Sequence, residues 1–315
     1  MDNLSFISNE ISLSNIEHYY DKLSSAEEQK LCELAEIARS ASLFIKEQLN
    51  YGLNFYESLC VLSETLSLEH GERNFTERTL DDHFSAYSRI GSIFDKSVFS
   101  RLLYDYLLDN NILAVERAFF GCAPKDETFV YVKNAFSDEA FDVFSQEFAD
   151  PRVRYASSFK ESLRLVADDL VAFCLLPLEE RGVRIPSVEE LVFRGDFKIN
   201  SVIPVFGYDG NAEMKYALVS KNLFPSDFSA DDDRYFEIRI PTDLDNALAS
   251  IAVLSEEFGV RVHRFNTVSL TVENTESTYF SVVFKTVGAD FTRLLIYFTL
   301  FMPEHIPVGI YKNIE

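Results

Sequence analysis

From Tyr235 to Ile314 the spacing of apolar residues switches repeatedly between a period of two and a period of about 3.6, and that order leaves few folds open. Tyr235 to Ile240 alternates as a strand does. Thr242, with Asp245 three residues on, reads as a helix start. Leu244, Leu248, Ile251, Leu254 or Ser255, and Phe258 then share one face before Gly259 stops the helix. Val260 to Val272 and Thr278 to Val287 read as two strands about a turn at Asn274-Thr275-Glu276-Ser277. Ala289 to Met302 returns to helical spacing through Phe291, Leu294, Leu295 and Phe298, and Pro307 to Ile314 closes as a strand. Residues 234–315 are therefore expected to form a ferredoxin-like βαββαβ unit, with two helices on one face of an antiparallel sheet.

Residues 127–223 follow a different rule. Thr128 to Val132 reads as a strand and Asp138 to Phe148 as a helix with Phe141, Phe144 and Phe148 on one stripe. Phe159 to Val166 reads as a second helix. Ala172 to Leu178 is apolar almost throughout, as a strand covered on both faces is. Val188 to Phe193 is helical in pattern, and Lys198 to Phe206 and Met214 to Ser220 are strand-like. Strand–helix alternation of this kind builds an α/β layer. The run Pro225 to Asp233 is polar and turn-forming, a linker whose three consecutive aspartates read as solvated charge.

The first 122 residues read as a helical domain. Ser24 and Glu27 have the spacing of a capping box, followed by Leu31, Leu34, Ala35, Ala38, Ala41, Ile45 and Leu49 at helical intervals. Gly52 interrupts. Phe55, Leu59, Leu62 and Leu66 form the next stripe, ended by Gly71. Asp95 reads as the cap of a further helix carrying Val98, Phe99, Leu102, Leu103, Tyr106 and Leu107. Such stripes make bundle core. The fold class is thus a multidomain mixture of α+β and α/β, with units at 1–122, 127–223 and 234–315.

Charge narrows the partners. Fifty-one acidic side chains against 29 basic ones give a net charge of -22. That field repels phosphate backbones and anionic lipid, so neither nucleic acid nor a membrane surface is expected as a partner. The N-terminus lacks a basic region followed by an apolar stretch, and no apolar run reaches spanning length, so a soluble cytoplasmic protein is expected. Cys32, Cys60, Cys122 and Cys174 lie far apart beside apolar residues and read as buried thiols rather than disulfides or zinc ligands. The five histidines show no ligand spacing, so no metal and no cofactor is expected.

The C-terminal pattern resembles an ACT domain, and the central segment resembles prephenate dehydratase, a family that often carries an ACT domain directly after its catalytic domain. Ala135-Phe136-Ser137-Asp138-Glu139 is similar to the family's Gly-Thr-Phe-Ser-Glu entry to its first helix. Ser157 to Leu163 resembles the segment before the next helix. Leu175-Leu176-Pro177-Leu178-Glu179-Glu180 resembles the Leu-Pro-Ile-Glu-Asn run. Gly210-Asn211, followed by Met214-Lys215-Tyr216-Ala217-Leu218-Val219, resembles the Asn-rich turn and the Thr-Arg-Phe-Leu-Val strand. Only about one of the family's two catalytic lobes fits between Glu127 and Leu223.

The resemblance implies a substrate pocket at Ser137, Glu179, Glu180 and Lys215. The family's reaction expels hydroxide and carbon dioxide from prephenate. It gains from an acid at the leaving hydroxyl and from cationic or N–H donors on the carboxylates. Here Met214 replaces the family's threonine, Lys215 its arginine, Ala135 another threonine and Glu180 an asparagine. Methionine donates no proton, and lysine lacks the bidentate fork. In the ACT-like part, Asn246-Ala247-Leu248 partly keeps a Gly-Ala-Leu run, and Asn266-Thr267 falls near a Glu-Ser-Arg-Pro run. These five residues are the implied ligand site for a small amino acid, and side-by-side pairing implies a homodimer. The leading expectation is a non-catalytic dehydratase relative that binds a small molecule of the amino-acid class. An active prephenate dehydratase and a protein-interaction or assembly module are the alternatives. Arg39 and Lys46, seven apart, suggest a mutase-like anion site only weakly and read as solvated charges.

Overall fold

The computed structural model describes residues 13–67, 90, 92–112, 124–206, 213–224, 234–244, 247–272, 275–286 and 288–311. Among the described residues the first elements are the helices α1 (Leu13–Asn50), α2 (Phe55–Ser67) and α3 (Ile93–Asp109). The central segment runs β1 (Thr128–Tyr131), α4 (Ala135–Phe144, continued by a 3-10 turn at Ser145–Glu147), β2 (Arg152–Tyr155), α5 (Phe159–Ala167), β3 (Phe173–Glu180) and β4 (Val183–Arg184). It continues through α6 (Pro186–Arg194), β5 (Lys198–Phe206) and β6 (Glu213–Ser220). The last segment is β7 (Arg234–Pro241), α7 (Ala247–Glu257), β8 (Arg261–Val272), β9 (Thr275–Thr286), α8 (Gly288–Phe301) and β10 (Ile306–Tyr311), the βαββαβ order that the periodicity predicts.

All of these strands belong to one mixed sheet in the order β2-β1-β3-β6-β5-β10-β7-β9-β8, with β4 paired to β3. β1 is parallel to β2 and β3, and β6 runs antiparallel between β3 and β5. The central strands and the C-terminal unit are joined in the sheet by a parallel pairing, where Gly309 of β10 lies opposite Ile199 of β5. A Cβ on Gly309 would lie 2.8 Å from both Ile199 Cβ and the Ile199 carbonyl oxygen, so the two backbones approach this closely only because the side chain is absent.

Three apolar clusters cover the sheet. α4 packs on β3, β5 and β6, burying Phe129, Phe144, Phe173, Ile203 and Tyr216. α5 and α6 pack over β3, with Leu163, Val166, Val188 and Val192 in a cluster that continues to Tyr235 and Val283. On the C-terminal strands, Phe236, Ile238, Val282 and Phe284 pack with Leu254 of α7 and Leu294 and Phe298 of α8. The N-terminal helices join this same cluster, with α3 against α1, α7 and α8 and α2 against α8. Their predicted stripe is core at Leu34, Ala38, Ala41, Ile45, Phe55, Leu59, Leu62, Phe99, Leu103 and Leu107, whereas Leu31 is exposed.

Several expected starts move, each for a local reason. α1 spans Leu13–Asn50, so Ser24 lies inside it rather than at its start. α3 is capped by Ser92; Asp95 sits three residues on and completes the reciprocal box, while Lys30 Nζ reaches its carboxylate at 2.6 Å. Thr242 stays with the sheet, its N–H donating to the Thr278 carbonyl at 3.1 Å, and α7 begins at Ala247. The β8–β9 ladder continues to Val272↔Thr275, so Thr275, Glu276 and Ser277, expected in a turn, belong to β9, while Asn274 lies outside the described residues. Cys174 is buried, but Cys32 is exposed and Cys60 intermediate, against the expectation of buried thiols. Cys122, Gly71, the linker at 225–233 and Asn246 lie outside the described residues. No helix among the described residues is long and apolar enough to cross a membrane.

Candidate functional site

Two β-bulges make the site. In β3, Pro177 pairs with Tyr216 of β6 and Glu179 with Lys215, leaving Leu178 as an extra residue. Proline has no N–H for the ladder, and strands irregular at proline commonly bulge there. In β8, Val262 pairs with Phe284 of β9 and Arg264 with Val283, leaving His263 extra. A bulge breaks the two-residue alternation, so neighbours that should point oppositely can serve one face. Leu178 and Glu179, and likewise His263 and Arg264, line the same pocket, together with Arg184, Lys215, Tyr235 and Tyr311. Its empty space is about 310 Å³, mouth included.

The pocket is ionic. Glu179, 5% exposed, meets three cations: Arg184 Nε at 3.2 Å, Arg264 Nη1 at 2.6 Å and Lys215 Nζ at 3.9 Å. Arg264 Nη1 is close enough for an ion pair but is not aligned as a hydrogen-bond donor. Behind Glu179, Arg184 Nη2 donates to Glu237 Oε2 at 2.5 Å and to the Tyr311 hydroxyl at 3.2 Å. The Tyr311 hydroxyl in turn donates to Glu237 at 2.9 Å. A further pair, Arg239 Nη2 to Glu189 at 3.0 Å, sits beside them, with the Arg239 guanidinium 4.8 Å from the Phe193 ring. The Glu179–Arg264, Arg184–Glu237 and Glu189–Arg239 pairs join the central segment to the βαββαβ unit.

Burial and charge act against each other here. Burial alone would raise the Glu237 carboxyl, but Arg184, Arg239 and the Tyr311 hydroxyl outweigh it and hold the group below the usual carboxylate range. Burial would likewise lower Arg184; Glu237, Tyr311 and Glu179 outweigh it and raise it. The Tyr311 hydroxyl is pushed up by burial and by Glu237. His263 is lowered by burial and by Arg264 and Lys215, so its neutral form is favoured. Donors are left over: Arg184 Nη1, and Nε and Nη1 of Arg239, are buried without an acceptor among the described residues. An unmet buried donor typically costs about 1–3 kcal/mol.

Of the residues singled out from the sequence, Glu179 and Lys215 come together in this pocket. Glu180 does not; it is exposed and pairs across the ladder with Met214. Ser137 lies at the start of α4, buried in a reciprocal cap with Asn134. It is the third residue of the helix rather than its cap. Its hydroxyl accepts from the Asn134 N–H at 2.8 Å and faces the carbonyls of Val132 and Asn134, each at 2.9 Å. In the C-terminal unit Leu248 is 54% exposed, and Thr267 is exposed on β8. Asn266 is half-buried, with its Oδ1 lacking a donor among the described residues. Ala247 opens α7. Arg39 and Lys46 are exposed on α1. Among the described residues no group of three or more His, Cys, Asp or Glu side chains could hold a metal ion.

Sequence reasoning missed Arg184, Glu237, His263, Arg264 and Tyr311. The signals were Pro177 inside an apolar strand, and Glu237 and Arg239 alternating with apolar residues in β7, where both are 1% exposed. Alternation alone assigns such a face to water. Here α6 and the pocket cover it.

No model of a known protein family matches the chain, and no curated protein matches its sequence. Among solved structures, the chain is similar to prephenate dehydratase from Streptococcus mutans, with 12% identity and a TM-score of 0.47, over 60% of this chain and 99% of the other. It is similar to prephenate dehydratase from Arthrobacter aurescens, solved in complex with L-Phe, with 13% identity and a TM-score of 0.43, over 59% of this chain and 90% of the other. It is also similar to GqqA, described as a novel type of quorum quenching acylase, with 15% identity and a TM-score of 0.42, over 59% and 95% of the two chains.

Proposed function

We propose that this chain is a catalytically silent relative of prephenate dehydratases that binds a small molecule of the amino-acid class through its C-terminal unit and assembles as a homodimer. The observation that carries the silent half is the state of the groups at the resembling positions. Dehydration needs a proton donor at the leaving hydroxyl and cations on two carboxylates. Met214 has no proton to give. The Ser137 hydroxyl is engaged in a helix cap. Lys215, where the family's arginine would stand, keeps the charge but lacks the bidentate fork, and a carboxylate, Glu179, already lies 3.9 Å from its Nζ. Glu180, exposed beside Met214 in the ladder, would repel a dianion.

The βαββαβ order and the half-buried Asn266, whose carbonyl oxygen lacks a donor, support ligand binding there; an α-ammonium group would supply that donor. The pairing half draws on β8, a twelve-residue strand at the end of the sheet order. Its outer edge carries backbone groups with no strand beside them among the described residues. The same edge favours a second reading, an assembly module in which the C-terminal unit only joins two copies.

The test is carbon dioxide release from prephenate, together with thermal unfolding in L-Phe, L-Tyr, L-Trp, prephenate and chorismate. The expected result is no turnover, including in Met214→Thr, and a raised melting temperature with an amino acid. A ligand at 100 times its dissociation constant stabilises by about 2.7 kcal/mol. Turnover would overturn the silent reading. Absence of any amino-acid shift, with a dimer still present by sedimentation, would leave the assembly module.

A further inference from the structure

We infer that the pocket between β3, β4 and β6 on one side and β7 to β10 on the other binds a single oxyanion group, carried either by inorganic phosphate or by the carboxylate of a small acid. The inference goes beyond the amino-acid reading, since its residues are not Asn246, Ala247, Leu248, Asn266 or Thr267. It would stand if that reading failed.

The argument is one of charge and unmet valence. Arg184, Lys215 and Arg264 line the pocket, against one lining carboxylate, Glu179. That carboxylate shares its two oxygens among all three cations, and the Lys215 contact, at 3.9 Å, is the loosest. Arg184 is also bound to Glu237, yet its Nη1 remains buried with no acceptor, and Arg264 Nη1 has no aligned one. Buried guanidinium donors without acceptors are rare, and a bound oxygen is the common remedy. Lys215 and Arg264 are 23% and 26% exposed at their side chains, so they reach the mouth and can turn from Glu179 to an arriving anion. Burial first, and then the charges of Arg264 and Lys215, lower the proton affinity of His263 beside them. Tyr235 and Tyr311, stacked at 13°, wall the pocket with ring surface. The chain's net charge of -22 makes a local excess of cations the more specific a feature.

The experiment uses the full chain in sodium phosphate, sodium acetate and sodium chloride at matched ionic strength, followed by thermal unfolding and calorimetric titration. The expected result is a saturable rise in melting temperature with phosphate or acetate that chloride does not give. Arg264→Gln and Lys215→Gln should each weaken the binding tenfold or more. A response to phosphate alone assigns the free ion, to acetate alone the carboxylate, and to both an oxyanion site without further choice. Equal curves in all three salts, or a rise unchanged in both variants, overturn the inference. Should the variants unfold, the His263 ring resonances of the unaltered protein decide it. They shift saturably if the anion enters the pocket and stay fixed if it does not. An amino-acid shift that persists in Arg264→Gln belongs to the other site.

Discussion

The guanidinium of Arg184 and the carboxylate of Glu237 meet at 2.5 Å across 53 residues of sequence, fastening β4 to the middle of β7. Their side chains are 10% and 2% exposed. Removing one partner of a buried pair strands the other, which costs about 3–5 kcal/mol, whereas replacing both by apolar groups is often neutral. Glu237→Gln should therefore lower the urea midpoint by an amount equivalent to about 3–5 kcal/mol, and Arg184→Met with Glu237→Leu should recover at least half of it. Acidification adds a sign. The native carboxyl is lowered relative to its unfolded value, so its contribution is complete above the unfolded value and disappears as pH falls through the native one. Glu237→Gln should lack that part of the acid slope. An unchanged midpoint in Glu237→Gln would show that the pair does not hold the two segments together.

Gly309 governs the seam between the central strands and the βαββαβ unit. Alanine there would set a methyl group 2.8 Å from a carbonyl oxygen of Ile199, an atom that cannot rotate away. Overpacking of this kind costs about 1–3 kcal/mol. Gly309→Ala should lower the melting temperature, and Gly309→Val should lower it further. Ile199→Ala should not rescue either, because the backbone oxygen remains. Full rescue by Ile199→Ala would place the strain in the side chain instead.

What the sequence made legible follows from which rule governed each element. β5, at Lys198–Phe206, lies where its alternation predicted, and the βαββαβ order follows from long periodic runs. Helix starts were less legible, because Asp95 and Thr242 have capping chemistry that serves another position or another element. The pocket was hardly legible. Its residues come from strands far apart in the chain, and the bulges at Leu178 and His263 invert the alternation from which faces are read. Glu179 and Lys215 were reached through resemblance, and their partners Arg184 and Arg264 only through the fold.

Asn134 ties the start of α4 to β6. Its Oδ1 accepts from the Ser137 N–H at 2.9 Å and from the Tyr216 hydroxyl at 3.4 Å. Loss of a side-chain helix cap costs about 0.5–2 kcal/mol. Asn134→Ala should fall in that range by denaturant unfolding, and Asn134→Asp, which keeps the acceptor, should lose less. If aspartate and alanine are equally destabilising, the accepting oxygen is not what stabilises the helix start.

His305 gives the chain a second acid-sensitive point, distinct from Glu237. The side chain is 5% exposed, its Nδ1 lies 2.8 Å from the Met302 carbonyl oxygen, and its Nε2 is buried without a partner among the described residues. Burial pushes its pKa down to about 4 from 6.5, only partly opposed by the Met302 hydrogen bond. The Nδ1 tautomer that donates to Met302 is therefore the native one, and a second proton would put an unpaired N–H in the core. Because the unfolded chain takes up a proton near 6.5 and the native chain only near 4, stability should fall as pH drops between those values and be complete above them. The loss could reach about 3 kcal/mol over that window. His305→Asn keeps a donor for the Met302 carbonyl without a titrating ring. Its unfolding free energy, measured at pH 7 and at pH 5, should change less with pH than that of the unaltered chain. Equal pH slopes in the two proteins would show that His305 is protonated alike in the folded and unfolded states.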